Sequence, residues 1–245
     1  MLKTVYSPGK LVALYPLDEK YGVGDISLKK NKPVRVNKAK VGKAKGPDGR
    51  LKGATSLPGM RNNYIEIPND GKLDTKKSLT MAIWVRNLGK SGPLMQYGRR
   101  GLNTINLWFI SPLHLAGSIL SRSKLRRTFL KAPKRISRYS WTFVALTYDN
   151  PSGFAKLWIN ARVVRKKYVG RSVRLATKKP VRIGAILRNR NVLKADVACA
   201  QIYSVELTRR QMRKAMMRCF KRGIWCNLIQ FDLFFNTFYF LKRYC

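Results

Sequence analysis

Few side chains in this sequence could carry out acid–base chemistry. Only 11 of its 245 residues are Asp or Glu, and His114 is its single histidine. The one adjacent pair of acids, Asp18 and Glu19, would point to opposite faces of an extended segment. The sequence has no Gly-x-Ser-x-Gly nucleophile elbow and no phosphate-binding glycine loop. We therefore expect the chain not to be an enzyme.

Metal ligands are equally sparse. The four cysteines form no Cys-x-x-Cys pair, which disfavours a zinc site. Four aspartates in or beside predicted turns could take part in a calcium site, namely Asp70, Asp74, Asp149 and Asp196. Each is also an ordinary turn or capping residue, and the formal net charge of +40 repels a bare cation. We expect neither a metal nor another cofactor, with calcium as the alternative.

Cationic side chains are far more abundant than acidic ones. The chain has 51 Lys and Arg, and such an excess is drawn to polyanions such as nucleic acid, anionic lipid or sulfated glycan. The densest segment, residues 121–138, has eight cations and no acid, and a second run lies at residues 165–167. The predicted binding residues are Arg122, Lys124, Arg126, Arg127, Lys131, Lys134, Arg135, Arg138, Arg165, Lys166 and Lys167. The alternative is that they belong to a solvated loop or outer strand.

Short strands must position these cations. Apolar runs are separated by Gly, Pro, Asn and Asp turn signals, with almost no helix between them, at residues 11–17, 64–67, 79–85, 105–110, 141–148, 155–159, 181–186 and 197–203. This spacing predicts an all-β, two-sheet antiparallel sandwich. Five aromatic residues should be buried as its core, namely Trp84, Trp141, Phe143, Tyr148 and Trp158.

One short helix is predicted after the last strand, within residues 207–219. Thr208 and Gln211 can form a capping box, and apolar residues that end in Cys219 share one face. Cys219 should therefore point inward, where a disulfide to Cys199 would pin the helix to the sandwich. A free buried cysteine pair is the alternative. A disulfide implies an oxidising compartment, yet the start of the chain has no apolar run of signal-peptide length.

Three blocks carry a family resemblance: ATSLPGMRNNYIEIPNDGKLDTKKSLTMAIWV, WTFVALTYDNPSGFAKLWIN and LKADVACAQIYSVELTRRQM. Their order and spacing resemble a laminin G-like domain of the concanavalin A-like lectin and glucanase superfamily, over about Leu11 to Cys219. The resemblance implies a jelly roll, extracellular in most relatives, that serves adhesion or glycan binding, sometimes through calcium at its rim. Glycoside-cleaving relatives carry Glu-x-Asp-x-x-Glu on one strand, and this chain does not.

One hairpin turn departs from this family's pattern. Relatives typically have Asp-Gly where this chain has Asn160-Ala161, and a glycine where it has Ala195. Left-handed backbone costs a non-glycine residue about 1–2 kcal/mol, which the hairpin can accommodate by widening its loop. We expect the sandwich to be retained and the family's original binding chemistry to be lost or changed, with turn glycines and acidic rim residues depleted in favour of cations.

These features predict one folded domain at residues 11–222. An N-terminal extension occupies residues 1–10, and residues 223–245 form an aromatic tail that is disordered or non-native. The predicted function is a non-catalytic, secreted binding or adhesion module for carbohydrate, sulfated glycan or glycoprotein, without a membrane span. The alternatives are an intracellular basic protein that binds nucleic acid through charge, favoured if the cysteines are reduced, and a diverged domain with no retained ligand.

Overall fold

Two antiparallel sheets and one helix make up this computed structural model, which describes residues 10–99, 102–120, 127–184 and 192–220. The elements are β1 (Leu11–Tyr15), β2 (Arg35–Asn37), β3 (Lys40–Ala44), β4 (Ala54–Pro58), β5 (Tyr64–Ile67), β6 (Leu79–Asn87), β7 (Gly92–Arg99), β8 (Leu102–Ser111), β9 (His114–Leu120), β10 (Arg127–Lys131), β11 (Trp141–Asp149), β12 (Phe154–Ile159), β13 (Arg162–Tyr168), β14 (Val181–Ile183), β15 (Lys194–Tyr203) and α1 (Arg209–Met216). The predicted all-β sandwich with one short C-terminal helix is confirmed.

The strand order places β13 and β10 at the edges of two different sheets. Sheet A has eight strands in the order β13-β12-β11-β6-β15-β4-β3, and β1 also pairs with β15. Sheet B has seven strands in the order β10-β9-β8-β7-β14-β5-β2. Among the described residues, seven of the thirteen strand pairs join strands that are not consecutive in the sequence, as in a jelly roll.

The main core lies between the two sheets and follows from the period-2 alternation of the strands. Inward side chains of β6 and β11, such as Met81, Ile83, Val144 and Leu146, pack against those of sheet B. The inner face of β9 at Gly117 lies close to sheet A, because an added Cβ would lie 2.9 Å from a methyl group of Leu146. The sheets therefore pack closely at this point.

A second apolar cluster lies on the outer face of sheet A, and it corrects part of the predicted core. Trp84, Phe143 and Trp158 are buried there beneath α1, rather than between the sheets, whereas Tyr148 is in the main core. Trp141 packs against the edge of the same outer cluster and is only partly buried. An outer sheet face can bury large aromatics in this way once a helix covers it.

The helix is held by the capping and pairing that its sequence predicts. Thr208 and Gln211 form a capping box at its N-terminus. The indole Nε1 of Trp84 donates to the carbonyl oxygen of Met216 at 2.8 Å, which satisfies a group at the helix C-terminus. A disulfide joins Cys199 to Cys219, as predicted.

A β-bulge aims Cys199 at the helix. The register between β15 and β6 shifts between Ala198 and Gln201, and Cys199 has a positive φ of 54°. Ala198 and Cys199 consequently both join the outer cluster, while Val197 and Ala200 face the main core. Re-aiming a side chain is a common effect of such bulges.

The turn at Asn160-Ala161 keeps its two-residue length, so the hairpin does not accommodate these residues by widening its loop. Ile159 pairs directly with Arg162, and both turn residues have positive φ, 48° and 57°. The amide oxygen of Asn160 accepts a hydrogen bond from the main-chain nitrogen of Phe143 at 3.0 Å. The methyl group of Ala161 is buried in the outer cluster. These contacts offset the strain of the left-handed backbone.

Candidate binding surface

The edge strands β10 and β13 meet where the two sheets approach each other. The Nε atom of Arg165 donates to the carbonyl oxygen of Lys131 at 3.1 Å. The Nζ atom of Lys167 donates to the carbonyl oxygen of Phe129 at 3.3 Å. We call this surface the β10–β13 seam and define it by Arg127, Phe129, Lys131, Arg165 and Lys167.

Strand alternation presents the seam to solvent. In β10, Thr128 and Leu130 are buried, while Arg127, Phe129 and Lys131 are exposed. In β13 almost every residue is exposed, because this strand has a neighbour on one side only. Charged side chains on an edge strand also discourage pairing with another chain, which gives these cations a structural role as well.

The remaining predicted binding residues are dispersed. Lys134 and Arg135 are exposed in the connection after β10. Lys166 points to the outer face of sheet A, with its Nζ atom 3.8 Å from the ring centroid of Phe154. Arg138 donates to the hydroxyl of Tyr139 at 2.8 Å, beside the turn between β6 and β7. Arg122, Lys124 and Arg126 lie outside the described residues.

Within the described part of the chain, no acidic side chain neutralises the seam. The sequence has no Asp or Glu from residue 75 to residue 148, and Asp149 is the only one from there to residue 195. Each acid in the described part of the chain has a partner elsewhere, as in the pairs Glu19–Lys52, Asp196–Arg86 and Glu206–Lys156. The seam therefore carries a net positive charge.

The aspartates considered for calcium do not converge. Asp74 accepts from the Thr177 hydroxyl at 2.5 Å, and Asp149 caps the turn at Ser152. Asp196 binds Arg86, and Asp70 accepts from the main chain of its own loop. Within residues 10–99, 102–120, 127–184 and 192–220, no group of three or more His, Cys, Asp and Glu side chains could hold a metal ion.

One pocket of about 220 Å³ has two carboxylates on its wall, Glu66 and Asp70. The guanidinium of Arg182 binds Glu66 through Nε at 2.6 Å and through a second nitrogen at 2.5 Å. Both side chains are almost fully buried, and Arg182 also lies over the ring of Tyr64. Glu66 is thus engaged in a buried ion pair with Arg182.

Sequence reasoning missed an aromatic pair next to the predicted cations. The rings of Trp108 and Phe129 have centroids 5.5 Å apart and are tilted by 55°. They belong to β8 and β10, which are separated by β9. The alternation of residues 127–131 could have indicated that Phe129 is exposed, but its contact with Trp108 required the strand order.

The two-sheet antiparallel sandwich with one short helix is a jelly-roll architecture. A family model of the laminin G type, described as the concanavalin A-like lectin/glucanases superfamily, matches residues 59–213. The chain belongs to this superfamily, and the predicted family is confirmed. No curated protein sequence matches the chain.

Solved structures with this fold include toxin binding domains. The binding domain of Paraclostridial Mosquitocidal Protein 1 has 14% identity and a TM-score of 0.67, over 84% of this chain and 51% of that one. The binding domain of botulinum neurotoxin serotype D/C VPI 5993 has 12% identity and a TM-score of 0.65, over 88% and 53%. The binding domain of botulinum neurotoxin DC, in complex with rat synaptotagmin II, has 11% identity and a TM-score of 0.64, over 88% and 53%. This chain spans about half of each, and the likeness shows the fold.

The described residues contain no helix with the length and apolar character needed to span a membrane. The disulfide between Cys199 and Cys219 is of the kind that persists in oxidising compartments.

Proposed function

We propose that this protein is a non-catalytic extracellular binding module that holds a sulfated glycan along the β10–β13 seam. The observation that carries the proposal is the contact of Arg165 and Lys167 with the main chain of β10. Through it, cations from two separate parts of the sequence form one exposed surface on a linear edge. A linear polyanion can follow such an edge and contact several cations at once.

The choice of glycan over other polyanions rests on fold and location. Lectin-type relatives bind carbohydrate, and the disulfide supports an extracellular site where sulfated glycans are abundant. Sequence-specific DNA proteins place a helix or β-ribbon in a groove, which an edge shared by two sheets does not resemble. The toxin domains with this fold support a role in binding to a partner, without indicating which one.

The test is heparin affinity of two charge-matched variants. The seam variant replaces Arg127, Lys131, Arg165 and Lys167 by Gln. The β3 variant replaces four exposed lysines at the opposite edge of sheet A, namely Lys38, Lys40, Lys43 and Lys45. Both variants lose four positive charges, so they differ only in where the charge is removed.

We expect the seam variant to lose about tenfold or more in heparin affinity at physiological ionic strength, and the β3 variant to lose much less. Equal losses would mean that net charge alone attracts heparin and would contradict the proposed site. Absence of wild-type binding to heparin at low salt would contradict the proposed partner. Stronger binding to nucleic acid than to heparin would favour the intracellular alternative.

A further inference from the structure

An aromatic ring lies at the centre of the seam cations. Phe129 lies between Arg127 and Lys131 on the outer face of β10, and its carbonyl oxygen accepts the hydrogen bond from Lys167. The side chain of Phe129 is 40% exposed. If the residues of this edge strand served only to keep the protein soluble, we would expect another polar residue at position 129.

Small side chains on β9 allow the second ring to reach Phe129. Trp108 of β8 is opposite Ala116, and Phe129 of β10 is opposite Ser118. Since Ala116 and Ser118 fill little space on the outer face, the two rings meet across β9, with centroids 5.5 Å apart. The two partly exposed rings form an apolar patch on the outer face of sheet B, next to its cationic edge.

We propose that Trp108 and Phe129 stack against a sugar ring of the bound glycan, while the seam cations bind its sulfate groups. This inference rests on the proposed function and deepens it. The axial C–H groups of a pyranose form an apolar, weakly positive surface that suits the negative face of an aromatic ring. The site would then recognise the carbohydrate as well as its charge.

A comparison of different polyanions can distinguish stacking on a sugar ring from simple charge attraction. Inorganic polyphosphate offers a dense linear charge and no sugar, so it can engage the cations and not the rings. Single-stranded nucleic acid offers phosphates and bases that stack on aromatic side chains. A ring that stacks on sugar should therefore contribute to heparin binding and not to binding of polyphosphate.

The experiment compares Phe129→Leu with a matched control, Tyr21→Leu, and uses heparin oligosaccharide, inorganic polyphosphate and single-stranded DNA as probes. Leucine keeps an apolar cover over β9 and removes the ring. Tyr21 is exposed to the same extent, 41%, and has Lys20 5.1 Å from its ring centroid, but it lies in the loop after β1. Equal thermal midpoints establish that both variants are folded.

We expect Phe129→Leu to weaken heparin binding roughly threefold to tenfold, with the polyphosphate affinity unchanged and the salt dependence preserved. Tyr21→Leu should bind all three probes as the wild type does. An unchanged heparin affinity, or the same loss for polyphosphate, would overturn the inference. A loss confined to DNA would also overturn it and assign the rings to base stacking. Failure of the wild type to bind heparin at all would instead refute the proposed function.

Discussion

The ammonium group of Lys167 donates a hydrogen bond to the main-chain carbonyl oxygen of Phe129, which lies 38 residues earlier in the chain. The donor belongs to the edge of sheet A and the acceptor to the edge of sheet B. Arg165 makes the corresponding contact with Lys131. The two sheets therefore share one basic edge, although no ladder of main-chain hydrogen bonds joins β10 to β13 within the described residues.

Removal of the disulfide should destabilise the fold without abolishing it. The bond closes a loop with a sequence separation of 20, so Cys199→Ala/Cys219→Ala should lower the free energy of unfolding by about 3 kcal/mol. Urea denaturation measures the change. A reducing agent should lower the free energy of unfolding of the wild type by a similar amount and leave that of the double variant unchanged. A double variant as stable as the oxidised wild type would show that the bond does not hold α1 to the sheet.

Because Glu66 and Arg182 form a buried ion pair, we expect a single substitution in this pair to destabilise the fold strongly. Glu66→Gln leaves the guanidinium buried without its counter-charge, so we expect a loss of about 3 kcal/mol in unfolding free energy. Glu66→Gln/Arg182→Met should recover part of that loss. The control is Glu19→Gln, whose partner Lys52 is exposed, and it should cost less than about 1 kcal/mol. Similar losses for Glu66→Gln and Glu19→Gln would contradict this account.

A substitution of Asn160 should lower the free energy of unfolding more than a substitution of Ala161. Asn160→Ala removes the acceptor of the Phe143 amide and places alanine in left-handed backbone, so it should cost about 1–2 kcal/mol in unfolding free energy. Ala161→Gly relieves strain but removes a methyl group that is only 2% exposed. These effects oppose each other, so the change should stay below about 1 kcal/mol. Chemical denaturation of the two variants tests the order.

Alkaline pH should weaken the fold through buried tyrosines. Burial raises the pKa of Tyr15, Tyr97 and Tyr203 well above the ordinary value of 10.0. The unfolded chain releases these protons near that value while the folded chain keeps them, so stability is retained below pH 10 and falls as pH rises above it. Phenolate absorbance followed with denaturation measures both effects. Tyr97→Phe should reduce the pH dependence above pH 10, and an unchanged dependence would contradict burial as its cause.

Structural features that depend on residues close together in the sequence could be predicted. The capping box of Thr208 and Gln211 depends on residues three apart, and the strand series on alternation, so the helix and the sandwich were predicted correctly. The predicted disulfide of Cys219 with Cys199 is confirmed, but α1 ends at Met216, so Cys219 lies in the turn after the helix and not on the helix face that its periodicity predicted. The bulge that aims Cys199 was not predictable, because it depends on which strands flank β15.

The site could be predicted only in part. Clustering of cations indicated residues 121–138 and 165–167, but the approach of β10 to β13 depends on the order of strands in two sheets. The aromatic pair shows the same limit, since Trp108 meets Phe129 only because β9 lies between them with small side chains. The tight turn at Asn160 could not be predicted, because its contact with Phe143 is not local.

The most direct test of the account is a map of the lysines that bound heparin protects from acetylation. The wild-type protein is acetylated with and without heparin, and mass spectrometry quantifies the modification at each lysine. The account predicts strong protection of Lys131 and Lys167, with Lys40 and Lys43 at the opposite edge of sheet A unprotected. Protection spread evenly over all exposed lysines, or confined to Lys40 and Lys43, would contradict binding at the β10–β13 seam.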